Sequence, residues 1–106
     1  MRYLYTTLAI ALGLSAGVYA AASHEVGQKN KKFTTEHLSI KVGETVSFPN
    51  HDPFFHNVFS LSPTATFDLG SYARGETRTV TFDQPGVVDV ECAIHPQMQM
   101  KIEVTQ

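Results

Sequence analysis

Apolar and polar residues alternate along short stretches of the chain from Phe33 onward, and no stretch keeps apolar residues at helical spacing for three turns. The segments "LSIKV" (38–42) and "KIEV" (101–104) each place every second side chain on an apolar face. The segment "ETRTVTF" (76–82) is rich in β-branched residues, which strands favour. This pattern predicts an all-β protein.

Turn signals separate the predicted strands. Gly43 and Glu44 join segment 38–42 to "TVSFPN" (45–50), and "DQPG" (83–86) is a turn signal that contains proline and has glycine at its fourth position. Two further strand candidates are "HNVFSLS" (56–62) and "VVDVEC" (87–92). About seven short strands at this spacing predict a two-sheet β-sandwich of Greek-key type.

The start of the chain differs from the rest. Arg2 gives a short positive beginning, "LAIALGLSAGV" (8–18) is an apolar run too short to span and stay in a membrane, and "VYA" (18–20) offers small residues for cleavage. We expect residues 1–22 to be a signal peptide, cleaved after Ala20 or Ala22, and residues 23–106 to form one domain. An uncleaved anchoring helix is the alternative. The signal predicts a periplasmic protein with no membrane span in the mature chain.

Charge and cysteine content narrow the classes of function. The 106 residues carry a formal net charge of −2 at pH 7, with acids and bases interspersed, which argues against a nucleic-acid partner. Small exported domains are usually cross-linked by disulfides, yet Cys92 is the only cysteine in the sequence. Alone, it has three ordinary interpretations: a buried inert thiol, half of an intermolecular disulfide, or a site of oxidation. We expect a monomer.

The segment "ECAIHPQMQM" (91–100) changes the interpretation of that cysteine. Cys92, His95 and Met98 place a thiolate, an imidazole and a thioether on one loop between two predicted strands. This mixture of ligands suits copper better than calcium or magnesium, and zinc, the closer competitor, gains little from a thioether. "FFHNVFS" (54–60) supplies His56 as a candidate fourth ligand, although a lone histidine is more often an ordinary surface or core residue.

Several motifs in order extend the pattern over nearly all of the mature chain. They are "VGETVSFPN" (42–50), "HNVFS" (56–60), "FDQPGVVDVEC" (82–92) and "CAIHPQM" (92–98), followed by "KIEV". In these motifs the chain resembles a small cupredoxin of the plastocyanin and amicyanin family. The resemblance implies a cupredoxin-like sandwich that binds one copper ion in a type 1, or blue copper, site.

The resemblance also implies roles for single residues. His56, Cys92 and His95 match the family's equatorial ligands, and Met98 matches the axial ligand of a short, amicyanin-like loop. Asn57 matches the residue whose backbone N–H points at the thiolate and whose side chain ties the two ligand loops together.

Met100 is the competing axial ligand, because plastocyanin-like loops place methionine eight residues after the cysteine. Met100 shares parity with Ile102 and Val104, which places it in the core, and the spacing to Lys101 fits Met98, so we favour Met98. Glu91 departs from the family pattern, since it precedes the thiolate ligand directly.

The implied ligand set predicts function. Four protein ligands leave no open position for a substrate, so we expect an electron carrier rather than an enzyme, exchanging single electrons with periplasmic redox proteins such as a c-type cytochrome or an oxidoreductase. His95, followed by Pro96, is the expected electron port. Phe54 and Phe55 either surround this port as an apolar docking patch or pack beneath the loop.

Other features keep further hypotheses open. "KNKK" (29–32) is either a patch that steers an acidic partner or an ordinary solvated turn. His24, near the predicted mature N-terminus, is compatible with a second function as a periplasmic copper buffer or copper-resistance protein. A sandwich that binds no metal and serves as an interaction module is the third hypothesis.

Overall fold

The computed structural model describes residues 21–106. Within that range the chain forms short strands and no helix, which confirms the all-β prediction, and no helix there is long and apolar enough to cross a membrane. Most of the predicted signal peptide lies outside the described residues and stays a prediction. The strands are β1 (Ser23–Glu25), β2 (Gln28–Lys29), β3 (Lys32–Phe33), β4 (His37–Lys41), β5 (Thr45–Pro49), β6 (His56–Ser60), β7 (Phe67–Tyr72), β8 (Thr77–Thr81), β9 (Gly86–Glu91) and β10 (Gln99–Thr105).

Two sheets form the body of the molecule. One has the order β1-β5-β8 and the other the order β4-β10-β9-β6-β7, while β2 and β3 pair as a separate hairpin. β1 runs parallel to β5 and β4 runs parallel to β10, and the other pairs are antiparallel. Buried side chains from both sheets, such as Phe48 of β5 and Ile102 of β10, belong to one core cluster. The predicted two-sheet sandwich is confirmed.

Strand β10 demonstrates how the sequence pattern becomes packing. Met100, Ile102 and Val104 are buried, whereas the residues between them are exposed, as alternation predicts. The strand count exceeds the predicted seven, partly because β7 lacks a clean alternation and contains Gly70 at a φ of 76°. The β6–β7 register also shifts between Asn57 and Phe59, a bulge adjacent to a predicted ligand.

The loop between β5 and β6 is ordered by one buried amide. The side-chain N–H₂ of Asn50 donates to the carbonyl oxygens of Phe54 (2.9 Å) and Tyr72 (3.0 Å), and its oxygen accepts the N–H of Asp52 (2.8 Å). Because a buried amide is costly unless it is hydrogen-bonded, these contacts favour a single conformation of residues 50–56. The loop therefore presents His56 from a fixed backbone.

Candidate metal centre

Three predicted ligands from distant parts of the chain come together at one end of the sandwich. His56 begins β6, Cys92 directly follows β9, and His95 lies in the loop between β9 and β10. The Nδ1 atom of His56 lies 3.1 Å from Nδ1 of His95 and 3.8 Å from Sγ of Cys92. One ligand atom from each residue lies within 4.8 Å of the others. A single metal ion can contact all three.

Burial differs among these three residues in a way that matters for chemistry. The side chains of His56 and Cys92 are inaccessible to solvent, whereas His95 is half-buried. The buried thiol cannot readily meet a second chain, which argues against an intermolecular disulfide, and its imidazole neighbours argue against an inert core thiol. Only His95 brings the cluster to the surface.

Asp52, which no sequence motif singles out, contacts one of the predicted ligands. Its Oδ2 atom lies 2.7 Å from Nε2 of His56, and the pair is buried. With Nε2–H donating to the carboxylate, the lone pair of His56 resides on Nδ1, which faces Cys92 and His95. Asp52 thus selects the tautomer of His56 that a metal requires.

Backbone groups from another segment hold Asp52 in place. Oδ1 accepts the N–H of Asn30 (2.7 Å), and Oδ2 accepts the N–H of Lys31 (3.0 Å). Burial alone would raise the pKa of Asp52, but the hydrogen bonds with His56 and with these two N–H groups outweigh it and lower the pKa below its ordinary 3.8. The residue is therefore a carboxylate at neutral pH.

The electrostatics at His95 favour its neutral form. Partial burial, His56 and the nearby ammonium group of Lys31 lower the pKa of His95 below its ordinary 6.5, with Asp52 acting weakly in the opposite direction. A neutral imidazole has a lone pair available for a metal ion. The surroundings of His95 therefore suit ligation at neutral pH.

Phe54 and Phe55, for which the sequence predicts the same two alternatives, differ in their surroundings. The ring of Phe54 packs against both histidines, with centroids 5.3 Å from His56 and 5.2 Å from His95. Phe55 is 54% exposed, and Ile94 on the neighbouring loop is 45% exposed. Phe54 thus packs beneath the loop, while Phe55 and Ile94 remain on the surface.

The two methionines are both buried, so burial does not separate them. Met100 lies within β10 opposite Val90 and belongs to the core, as expected. Met98 precedes the strand, and its N–H donates to the carbonyl oxygen of His95 (2.9 Å), which closes the ligand loop. This position is compatible with Met98 as the axial ligand, an assignment that stays a prediction.

A single side chain joins the two ligand loops. The Asn57 side-chain oxygen accepts the N–H of Ala93 at 2.7 Å, as the resemblance implied. The hydrogen bonds within residues 21–106 do not include one from the Asn57 N–H to the Cys92 sulfur. Glu91 alternates with the buried Val90 and Cys92 and lines an outward groove beside Asp89, so it points away from the thiolate.

These donors fit copper. The cluster offers one thiolate and two imidazoles, and the one buried carboxylate among residues 21–106, that of Asp52, already accepts hydrogen bonds from two backbone N–H groups and contacts His56. Residues 20–105 match the model of the family described as "Copper binding proteins, plastocyanin/azurin family". The chain belongs to this family.

Two similar proteins refine the position of the chain within the plastocyanin/azurin family. It is 36% identical over 103 residues to amicyanin-alpha of Methylorubrum extorquens, covering 92% of this chain and 87% of that protein. A solved Cu(I) form of an amicyanin mutant superposes with a TM-score of 0.72 at 28% identity, covering 85% of this chain and 88% of that chain. The resemblance to a small cupredoxin of amicyanin type is confirmed, and the chain is a copper-binding electron-transfer protein with a single type 1 site.

A larger protein also contains a similar unit. The copper-containing nitrite reductase of Thermus scotoductus superposes with a TM-score of 0.76 at 27% identity over 84% of this chain. This chain corresponds to only 24% of the reductase chain. The similarity therefore concerns one part of that enzyme.

Proposed function

We propose that the protein is exported to the periplasm and shuttles single electrons between redox proteins, with His56, Cys92, His95 and Met98 holding one copper ion. The observation that carries this proposal is the convergence of a buried thiolate and two imidazoles, of which only His95 approaches the surface. Copper, when bound, supplies a Cu(II)/Cu(I) couple. The protein residues hold the ligand geometry nearly constant and exclude water.

Rigid ligand positions favour a carrier. His56 is fixed by Asp52, Cys92 directly follows the paired strand β9, and the Met98 N–H donates to the carbonyl oxygen of His95. A site that changes little between oxidation states needs little reorganisation during electron transfer. With four protein ligands in place there is no position for a substrate, which supports a carrier rather than an enzyme.

The surface around His95 suits brief contact with a partner. The exposed apolar side chains of Phe55 and Ile94 directly precede His56 and the half-buried His95 in the chain. Such areas serve short-lived docking between redox proteins, in which small interfaces are common. The expected partners are periplasmic, such as a c-type cytochrome or an oxidoreductase, and the protein acts as a monomer.

Two measurements test this proposal. Titrating the purified copper-free protein with Cu(II) should produce an intense visible thiolate-to-copper band, and Cys92→Ser should remove it. Mixing the Cu(I) protein with an oxidised c-type cytochrome in a stopped-flow instrument should give rapid exchange. A band retained by Cys92→Ser would refute the ligand assignment.

A copper-buffer function would give a different result. His24, the residue that motivated it, lies 2.9 Å from a carboxylate oxygen of Glu44 and is thus already engaged. A buffer would exchange electrons with no periplasmic cytochrome, and deletion of its gene would impair growth only under copper stress.

A further inference from the structure

The β2–β3 hairpin, residues 28–33, brings positive charge to the copper end of the molecule. We name it the lysine hairpin, because it carries Lys29, Lys31 and Lys32. The Nζ atom of Lys31 lies 5.5 Å from the centroid of the Phe54 ring, and that ring lies 5.2 Å from His95. A cation therefore stands one aromatic ring away from the proposed electron port.

The hairpin is held rigidly relative to the metal site. Asn30 and Lys31 have φ angles of 56° and 58°, in the left-handed region that lysine rarely adopts. Asp52 accepts both of their N–H groups while it contacts His56. One buried carboxylate thus fixes both the hairpin tip and a proposed copper ligand.

The charge of the hairpin is available to a partner. Lys29, Lys31 and Lys32 are exposed, and none of them takes part in the ion pairs formed within residues 21–106. Glu36 lines the groove between the hairpin and the ligand loop, without a salt bridge to any of the three lysines. The whole chain carries a formal charge of −2, so this positive area is local.

We propose that the lysine hairpin is a docking surface for a redox partner with an acidic rim around its own electron port. Lys31, which is separated from His95 by the Phe54 ring, would attract such a partner over long range together with its neighbouring lysines and align the partner's port with His95. This inference rests on the proposed electron-transfer function. A partner with a neutral or basic rim would gain nothing from the hairpin.

Small redox probes of opposite charge test the inference without knowledge of the partner. The copper-loaded Cu(I) protein is oxidised in a stopped-flow instrument by hexacyanoferrate(III), an anion, or by tris(phenanthroline)cobalt(III), a cation. Lys31→Glu should slow the anionic oxidant and speed the cationic one at low ionic strength, changing the ratio of the two rates by on the order of 10-fold. High salt should remove most of this change.

Two further variants act as controls. Lys41→Glu makes the same charge change at the end of β4, where Lys41 pairs with Thr105, far from the start of β10 at the ligand loop, and it should leave the ratio nearly unchanged. Lys31→Gly removes the charge at a position whose φ suits glycine, and it should shift the ratio in the same direction by less. It also keeps the test decisive if Lys31→Glu fails to fold.

The outcomes separate the two proposals. Equal ratios for Lys31→Glu, Lys31→Gly and Lys41→Glu, with rapid electron exchange throughout, would overturn the docking surface alone. Slow exchange of the unaltered copper-loaded protein with both probes would overturn the proposed function. In a further comparison, Lys31→Glu should slow electron exchange with an acidic c-type cytochrome more than exchange with a basic one. The reverse order would contradict the proposed partner.

Discussion

Residues 21–106 contain two histidine–carboxylate pairs with similar distances and different surroundings. His56 and Asp52 lie 2.7 Å apart, and His24 and Glu44 lie 2.9 Å apart. The His56 side chain is inaccessible to solvent and its second ring nitrogen faces a thiol and another imidazole, whereas 28% of the His24 side chain is exposed. The same pair of groups therefore orients a predicted metal ligand in one place and links β1 to the turn before β5 near the surface in the other.

Their carboxylates differ in the same way. Asp52 is buried with two backbone N–H groups and a ligand histidine. Glu44 accepts the backbone N–H of Lys41 at 2.9 Å beside a turn. The two pair distances are similar. The burial of Asp52 and its additional hydrogen-bond partners therefore explain why the His56–Asp52 pair, and not the His24–Glu44 pair, can affect copper binding.

The largest expected effect contrasts the two histidines. His56→Ala should abolish the intense visible band, because the thiolate then shares the metal with one imidazole fewer, whereas His24→Ala should leave the band in place. Absorption spectra of the two copper-loaded variants check this prediction. A band lost in both variants would mean that the surface pair also supports the site.

Met98 and Met100 are both buried, but substitutions of them should have different effects. Met100→Ala should lower the free energy of unfolding by roughly 2–5 kcal/mol, as for other buried large-to-small substitutions, with an unchanged spectrum. Met98→Ala should shift the spectrum and the reduction potential. Denaturant unfolding, absorption spectra and potentiometry together distinguish the two roles. If Met100→Ala changed the spectrum and Met98→Ala only lowered the free energy of unfolding, Met100 would be the axial ligand.

The next largest effect concerns copper affinity and contrasts the carboxylates of Asp52 and Glu44. Asp52→Asn should weaken copper binding about 10- to 100-fold, because the amide supports the required tautomer of His56 less strongly than the carboxylate does. Glu44→Gln is the matched control and should leave affinity unchanged. Competition with a copper chelator measures the copper affinities of both variants. Equal affinities would show that Asp52 does not support copper binding through His56.

Acid stability gives the smallest contrast. The pKa of Asp52 lies below its ordinary 3.8, so the stability it contributes is present above that pH and is lost as the pH falls through the native pKa. Unfolding of the copper-free protein should therefore depend less on pH below about 4 in Asp52→Asn than in the unaltered chain. An identical pH dependence would contradict the ionised, hydrogen-bonded Asp52 described above.

Sequence chemistry predicted the residues that carry strong local signals. Cys92 and His95 lie in one short segment, and His56 follows a recognisable strand motif, so ligand chemistry and resemblance suffice to bring them together. Alternation likewise predicted the buried face of β10. These features depend on short stretches of sequence and on residue type.

Features that depend on contacts between distant segments were not predictable. Asp52 gains its role from N–H groups of Asn30 and Lys31, which lie 22 and 21 residues earlier and owe their position to a left-handed turn. Phe54 and Phe55 are chemically identical neighbours, and only the course of the loop buries one of them more than the other. No local pattern encodes either outcome.

The parallel pairing of β4 with β10 has a consequence for when copper can enter. This pairing joins residues 37–41 to residues 101–105, and the ligand loop lies immediately before β10. Contacts over such sequence separations form slowly, because a long loop must close first. The ligands should therefore reach their final spacing only once β10 has paired with β4, so we expect copper to be loaded after folding rather than during it.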